Sequence, residues 1–339
     1  MPPLTNEQLD QYQALTQRVG FVPLTGRTLI EVTGPDRGQI LQSFTTNDVK
    51  RLTPGQGCEA FVTSPQGKTL GHLFIFCETD KHWIDATPDQ AQPLIEHFNR
   101  YIITEDAFFT DKTAEFTDVL VAGPAAESLL LALTGQAAPA TRPGQHAVTI
   151  AGQPAILRRV EIAGPQSYFL QVATPHTAAV IAALHKAGAV PCDHAAFESV
   201  RVEAGFPLFG LDIGPENLPQ EVGRDARAIS FTKGCYLGQE TVARIDAIGH
   251  VNRLLAGIQL PVDVPQPLHE LKLLATPSGG STSQTDQSVG QITSVAWSPR
   301  LQAPLALAYL RRSFIKPGTM LSTSHGPAHV VGLPLAASA

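Results

Sequence analysis

The chain has 339 residues, 43% of them hydrophobic, and a formal net charge of −6 with histidine neutral. That length exceeds what one core organises, and that apolar fraction excludes a disordered chain, so two or three domains are expected. The acidic balance excludes a broad electrostatic footprint for nucleic acid, and no nucleic-acid partner is expected.

The first residues, Met1 to Gln11, are polar and lack a basic segment followed by an apolar one. No secretory signal is expected, and the chain reads as cytoplasmic. Thr5 to Val19 reads as a helix, with a Thr5/Gln8 capping box, an apolar stripe at Leu9, Tyr12, Leu15 and Val19, and Gly20 as its stop. Arg27 to Thr33 reads as a strand, and Gly34-Pro35-Asp36 opens the next helix. Ala60 to Thr63 and Leu70 to Cys77 read as paired strands, with Ser64-Pro65-Gln66-Gly67 as the turn between them.

Asp118 to Ala122 followed by Gly123-Pro124 and a helical run echoes the earlier strand, Gly-Pro, helix order, which suggests a duplicated unit. Residues 134–155, rich in Gly, Ala, Pro and Gln, read as a loop. Thr174-Pro175 opens a helix through Ala187, and Asp193 opens another over His194 to Ala204, closed by Gly205. Beyond Val251, short apolar runs alternate with turns, including a polar loop at 277–287. Gly290 to Trp297 and Ala303 to Leu310 read as strands of a small all-β domain. No run approaches the ~18 apolar residues of a membrane span, so no membrane partner is expected.

The four cysteines, Cys58, Cys77, Cys192 and Cys235, lie far apart with no C-x-x-C pair, and no metal site is expected. Only Cys235 has unusual surroundings, in Lys233-Gly234-Cys235-Tyr236-Leu237-Gly238-Gln239-Glu240. Gly234 and Gly238 allow a sharp turn and close approach. A helical pattern from Gln239 to Ile245 puts Cys235 near a helix N-terminus, where Lys233 and unpaired N–H groups favour a thiolate. Tyr236 could stack on a flat ligand, Gln239 and Glu240 could accept hydrogen bonds, and Glu240 could pair with Arg244. The plain alternative is a structural cysteine in a Gly-rich turn.

The octapeptide resembles the K-G-C-[YF]-x-G-Q-E signature of the YgfZ family, folate-binding relatives of the glycine-cleavage T-protein. Further segments carry the same resemblance: Arg201-Val202-Glu203-Ala204-Gly205-Phe206-Pro207, Gly210-Leu211-Asp212-Ile213, Leu218-Pro219-Gln220-Glu221, Thr241-Val242-Ala243-Arg244, Gly249-His250-Val251-Asn252-Arg253, and Thr46-Asn47-Asp48-Val49 with Leu52-Thr53-Pro54-Gly55. The resemblance implies an α+β fold, a ring of two α+β subdomains with a small C-terminal β-barrel. It places the first domain at 1–110, completed by a motif-bearing segment at 196–248, the second at 111–195, and the barrel at 249–339.

It also implies a bound tetrahydrofolate and iron–sulfur partners, the chain assisting assembly or repair of 4Fe–4S enzymes. Cys235 and Lys233 then carry the chemistry. Glu203 holds the pterin ring by two hydrogen bonds. Arg201, Tyr236, Gln239, Glu240, Arg244, Asn47, Asp48 and Asp85 complete the folate site, although Arg201 could instead pair with Glu198.

Departures from the T-protein pattern weigh against aminomethyl transfer. Gly71-His72 stands where T-protein relatives carry paired acids, and Gln92 stands where they carry the acid near folate N10. Proton transfer during carbon–nitrogen cleavage needs such a group. Two alternatives stay open, a folate-dependent aminomethyltransferase and a non-catalytic folate-binding protein that recruits partners. A cysteine hydrolase using His194, His250 and Asp246 has no local nucleophile signature behind it. The Gly turns form neither a dinucleotide fingerprint nor a P-loop.

Overall fold

The computed structural model describes residues 2–263, 271–275 and 288–335. Helix α1 (Asn6–Gln17) starts at the expected capping box, with Thr5 accepting from Gln8 N and Gln8 from Thr5 N. It stops two residues before Val19, and Gly20 opens a strand rather than ending the helix. A Cβ at Gly20 would lie 2.7 Å from Cys192 Sγ, so this strand needs a glycine to pack.

Two sheets follow. One has the order β3 (Gly57–Thr63), β4 (Thr69–Cys77), β5 (His82–Ala86), β2 (Thr28–Thr33), β6 (Phe108–Asp111). The other runs β11 (Val190–Pro191), β1 (Gly20–Leu24), β7 (Phe116–Ala122), β10 (Ser167–Ala173), β9 (Gln153–Val160), β8 (Gly144–Ile150). Each contains a strand, Gly-Pro, helix unit: β2 leads through Gly34 to α2 (Arg37–Phe44), and β7 through Gly123 to α4 (Ala126–Thr134). Both glycines sit at positive φ, +93° and +119°, against a backbone carbonyl.

The expected boundary at residue 110 does not separate the sheets, because β1 pairs with β7 in the second one. The 134–155 region is not a loop either. It holds β8 and the start of β9, paired from Gly144↔Arg159 to Ile150↔Gln153. An edge strand with one wet face reads as Gly, His and Thr between apolar residues, which hides it in a propensity reading.

Side-chain alternation assigns the cores. In β4, Leu73 and Ile75 pack with Leu41, Phe44, Leu94 and Phe98, under α2 and α3 (Ala91–Asn99). In β7, Val119 and Val121 pack with Leu130, Val180 and Leu184, under α4 and α5 (Thr177–Lys186). The opposite faces, including Phe74, Phe76, Leu120 and Phe169, meet each other and Tyr12, Leu15, Phe197 and Val200 of α1 and α6 (His194–Ala204). The two α+β layers therefore stand back to back.

Strands β12 (Arg253–Gln259), β15 (Ala303–Arg311), β14 (Ser288–Ser298), β13 (Leu273–Ala275), β16 (Met320–Thr323) and β17 (Gly326–Val331) form a closed barrel, β12 pairing with β17. The expected polar loop at 277–287 lies outside the described residues. Val202 of α6 packs with Ala296, Leu305 and Leu307 and docks the barrel on the layers. Two short helices, α7 (Asp225–Ala228) and α8 (Gln239–Ile248), complete the path between α6 and the barrel. Among the described residues no helix is long and apolar enough to cross a membrane.

Candidate functional site

Thr46 and Asn47 follow the end of α2. Thr46 Oγ1 donates to Ala228 O at 2.6 Å and accepts from Phe61 N at 2.9 Å. Asn47 Nδ2 donates to Glu59 O and to Arg227 O, both at 2.8 Å. These bonds fasten the main chain of α7 to β3. Two arginines, Arg224 just before α7 and Arg227 within it, are thereby aimed into the junction between the two layers and the barrel. Asp48 plays a local part, accepting from Gln42 at 3.1 Å and pairing with Arg51 at 2.8 Å.

The junction holds two adjoining cavities that share lining residues and form the two lobes of one candidate site. The larger lobe, about 670 Å³, has apolar walls at Val222, Leu254, Leu255, Val331 and Leu333 and polar ones at Glu161, Arg224 and Arg227. The smaller, about 330 Å³, is lined by Glu59, Phe74, Arg142, Arg159, Glu161 and Arg227. Glu161, Ala226 and Arg227 border both lobes. Such volumes suit a small organic ligand.

At the shared border one carboxylate faces two cations. Glu161 pairs with Arg142 at 3.2 Å and with Arg227, both guanidinium groups about half exposed. This leaves one positive charge in excess. Arg159 adds another: its Nη1 donates to Pro139 O, while its buried Nε has no partner.

Deeper in, Arg224 donates to Glu59 through Nε and Nη2, and His72 Nε2 lies 2.7 Å from Glu59 Oε1. Burial alone would raise the Glu59 pKa. The hydrogen bonds from Arg224 and His72 overcome it and hold the carboxyl at about 2. Aromatic rings fix the partners. His72 stacks on Phe61 and tilts against Phe206, and Arg224 lies 4.7 Å from the Phe206 ring centre.

None of the residues expected from the sequence lines these two lobes. The Lys233–Glu240 segment is a docking strap instead. Lys233 is buried, and its ammonium donates to Gln42 O at 2.6 Å, Asn47 O at 2.9 Å and Thr45 O, across the C-terminus of α2. Burial pushes its pKa down to about 8, partly offset by Asp48 and Cys58. Its three donors are all committed to main-chain carbonyls. Tyr236 is a core residue packed with Phe61, Ile213 and Val242.

Cys235 is exposed. It lies four residues before α8, whose N-cap is Gly238. Gln239 is partly buried at the start of α8 and Glu240 and Arg244 are exposed further along it; among the described residues no ion pair joins Glu240 to Arg244. Gly238 explains the motif's second glycine. Its φ is +84°, and a Cβ there would lie 2.3 Å from Ser64 O in the β3–β4 turn. Gly238→Ala is expected to cost roughly 2 kcal/mol or more by urea unfolding.

Arg201, fully buried, spends all five N–H donors: on both Glu198 oxygens, Asp212, Phe206 O and Ser294. Glu203 is taken by Tyr12 at 2.7 Å, by Ser298 and by Arg300 at 3.2 Å, which ties α1, α6 and the barrel together. Asp85 is sealed between the sheets with Arg27 and Arg158, beside Asp118, whose pKa burial and Asp85 both raise. The R-x-E segment is thus a structural hub in this fold. Gln92 is exposed and bonded to Glu96, away from the cavity.

Residues 4–233 match the GCVT N-terminal domain, and residues 253–335 match the glycine cleavage T-protein C-terminal barrel domain. The chain belongs to the glycine cleavage T-protein family. Among its T-protein relatives, the aminomethyltransferase of Streptomyces coelicolor is 27% identical, covering 98% of this chain and 91% of that protein. The aminomethyltransferase of Symbiobacterium thermophilum is 26% identical, covering 91% and 83%. The fold is that of the glycine cleavage system aminomethyltransferase T of Bartonella henselae, at a TM-score of 0.80 and 17% identity, with 98% of this chain and 91% of that one covered.

Proposed function

We propose that this T-protein relative binds a reduced folate in the two-lobed cavity and serves one-carbon transfer from an aminomethyl donor. The observation that carries the ligand reading is the charge arrangement at the shared border. Arg142 and Arg227 around the single Glu161, with Arg159 behind them, suit the carboxylates of a glutamyl tail. The apolar walls of the larger lobe suit a flat ring. The reaction reading rests on the relatives, which are named aminomethyltransferases over nearly the whole length of this chain. When bound, tetrahydrofolate would supply the nitrogens that accept the one-carbon unit. The residues of the chain would orient it and exclude water.

A second reading has its own support. Both carboxylates that line the cavity, Glu59 and Glu161, are engaged in ion pairs with arginines. The thiol of Cys235 stands exposed on the strap. A folate-binding maturation factor for 4Fe–4S enzymes, presenting Cys235 to its client, fits both facts. Turnover of an aminomethyl-lipoyl carrier protein with tetrahydrofolate separates the two. Multiple turnover that survives Cys235→Ser supports the transferase. Absent turnover, with folate bound and loss of client-enzyme activation in Cys235→Ser, supports the maturation factor. A chain that binds no folate defeats both.

A further inference from the structure

Arg224 differs from the other arginines of the cavity. Arg142 and Arg227 are about half exposed and together exceed the charge of Glu161, whereas the Arg224 side chain is 12% exposed and bound to its own carboxylate, Glu59. Glu59 takes the Nε and Nη2 edge of the guanidinium. Among the described residues nothing accepts from Nη1. The plane of the group is fixed from the side by Phe206, and Glu59 is fixed from behind by His72. The result is a rigid donor edge on the wall of the larger lobe that carries no net charge.

That charge balance selects the ligand group. An anion facing a neutral ion pair gains little Coulomb energy for the hydration it gives up. A neutral carbonyl oxygen sheds water at much lower cost and accepts a charge-assisted hydrogen bond. The excess cations at the border are the better partner for carboxylates. We infer that Arg224, held by Glu59 and His72, reads a ring carbonyl of the bound heterocycle, which for a folate is the 4-oxo group of the pteridine. This rests on the folate reading and adds a specificity determinant to it. Arg224 touches the ligand, while Glu59 and His72 are positioning residues.

The test compares folic acid with its 4-amino analogue aminopterin, which differ at that one substituent. Binding to the full-length protein is followed by calorimetry at pH 7, where both rings are essentially neutral. The wild type is expected to favour folic acid by about tenfold, the value of one charged hydrogen bond at the low end. In Arg224→Gln the preference should collapse towards one, because folic acid loses affinity and aminopterin does not. His72→Leu should blunt the preference, and His72→Gln, which keeps an N–H for Glu59, should restore it.

The ratio is the readout because a general loosening of the fold lowers both affinities together and leaves it unchanged. Equal binding of the two compounds by the wild type overturns the inference. So does an Arg224→Gln variant that weakens both in the same proportion, since the arginine would then serve the shared tail. Both outcomes leave folate binding standing. A wild type that binds neither compound removes the folate reading and this inference with it.

Discussion

Replacing Lys233 by methionine is expected to destabilise the protein by about 3 kcal/mol while leaving the alkylation rate of Cys235 unchanged. The ammonium satisfies three main-chain carbonyls, those of Gln42, Thr45 and Asn47. The first two belong to the last turn and C-cap of α2, where carbonyls lack intrahelical partners. Leaving a buried acceptor unsatisfied costs about 1–3 kcal/mol, and three are exposed at once. Relief of the buried charge, whose penalty shows in the pKa lowered to about 8, offsets part of that. Methionine keeps the length and apolar stem, so the change isolates the ammonium. The unfolding midpoint in urea reads the stability and iodoacetamide kinetics read the thiol. A large fall in thiol reactivity with unchanged stability would return Lys233 to the role of thiol activator.

This contrast shows what the sequence made legible. Of the two glycines in Lys233–Glu240, Gly238 marks a close approach, with no room for a Cβ against Ser64, whereas a Cβ at Gly234 would meet nothing within 4 Å. The glycine spacing did not signal what was approached. The direction of the Lys233 side chain depends on α2, about 190 residues earlier in the chain, and no local pattern encodes that. The strand, Gly-Pro, helix echo was legible because Gly34 and Gly123 answer the same local need, a positive φ beside a carbonyl. The crossing of β1 into the second sheet was not, because strand pairing is a long-range choice.

The cavity residues lay further from view. Glu59, Arg142, Arg159, Glu161, Arg224 and Arg227 come from four separated stretches and form no motif. The nearest signal was Asn47, which the resemblance placed in the folate site. In the fold it fastens α7 from below through Arg227 O, as its neighbour Thr46 does through Ala228 O. Acidic and basic residues in R-x-E drew attention as ligand groups for the same reason. A buried hub and a binding site use identical side chains, and only the partners distinguish them. Arg201 and Glu203 find theirs in α6 and the barrel.

Glu59→Gln is expected to lower stability by roughly 3 kcal/mol at pH 7, with the deficit shrinking as the pH falls. The Glu59 carboxyl titrates at about 2 in the folded protein against an ordinary value of 4.5. A carboxyl with a depressed folded pKa contributes stability that is fully present above the unfolded value and is lost as pH drops through the folded one. At about 1.4 kcal/mol per pH unit, the gap between 4.5 and about 2 gives the roughly 3 kcal/mol stated. The window is therefore pH 4.5 down to about 2. Below it the protonated acid resembles glutamine, and the two proteins should converge. Other acids also titrate in that range, but the difference between wild type and variant cancels them. Urea unfolding of both at pH 7, pH 4 and pH 3 reads the effect. A deficit that stays constant across those conditions would mean that shape, not charge, holds Glu59 between Arg224 and His72. The ligand-reading edge of Arg224 would then be set by packing on Phe206 alone.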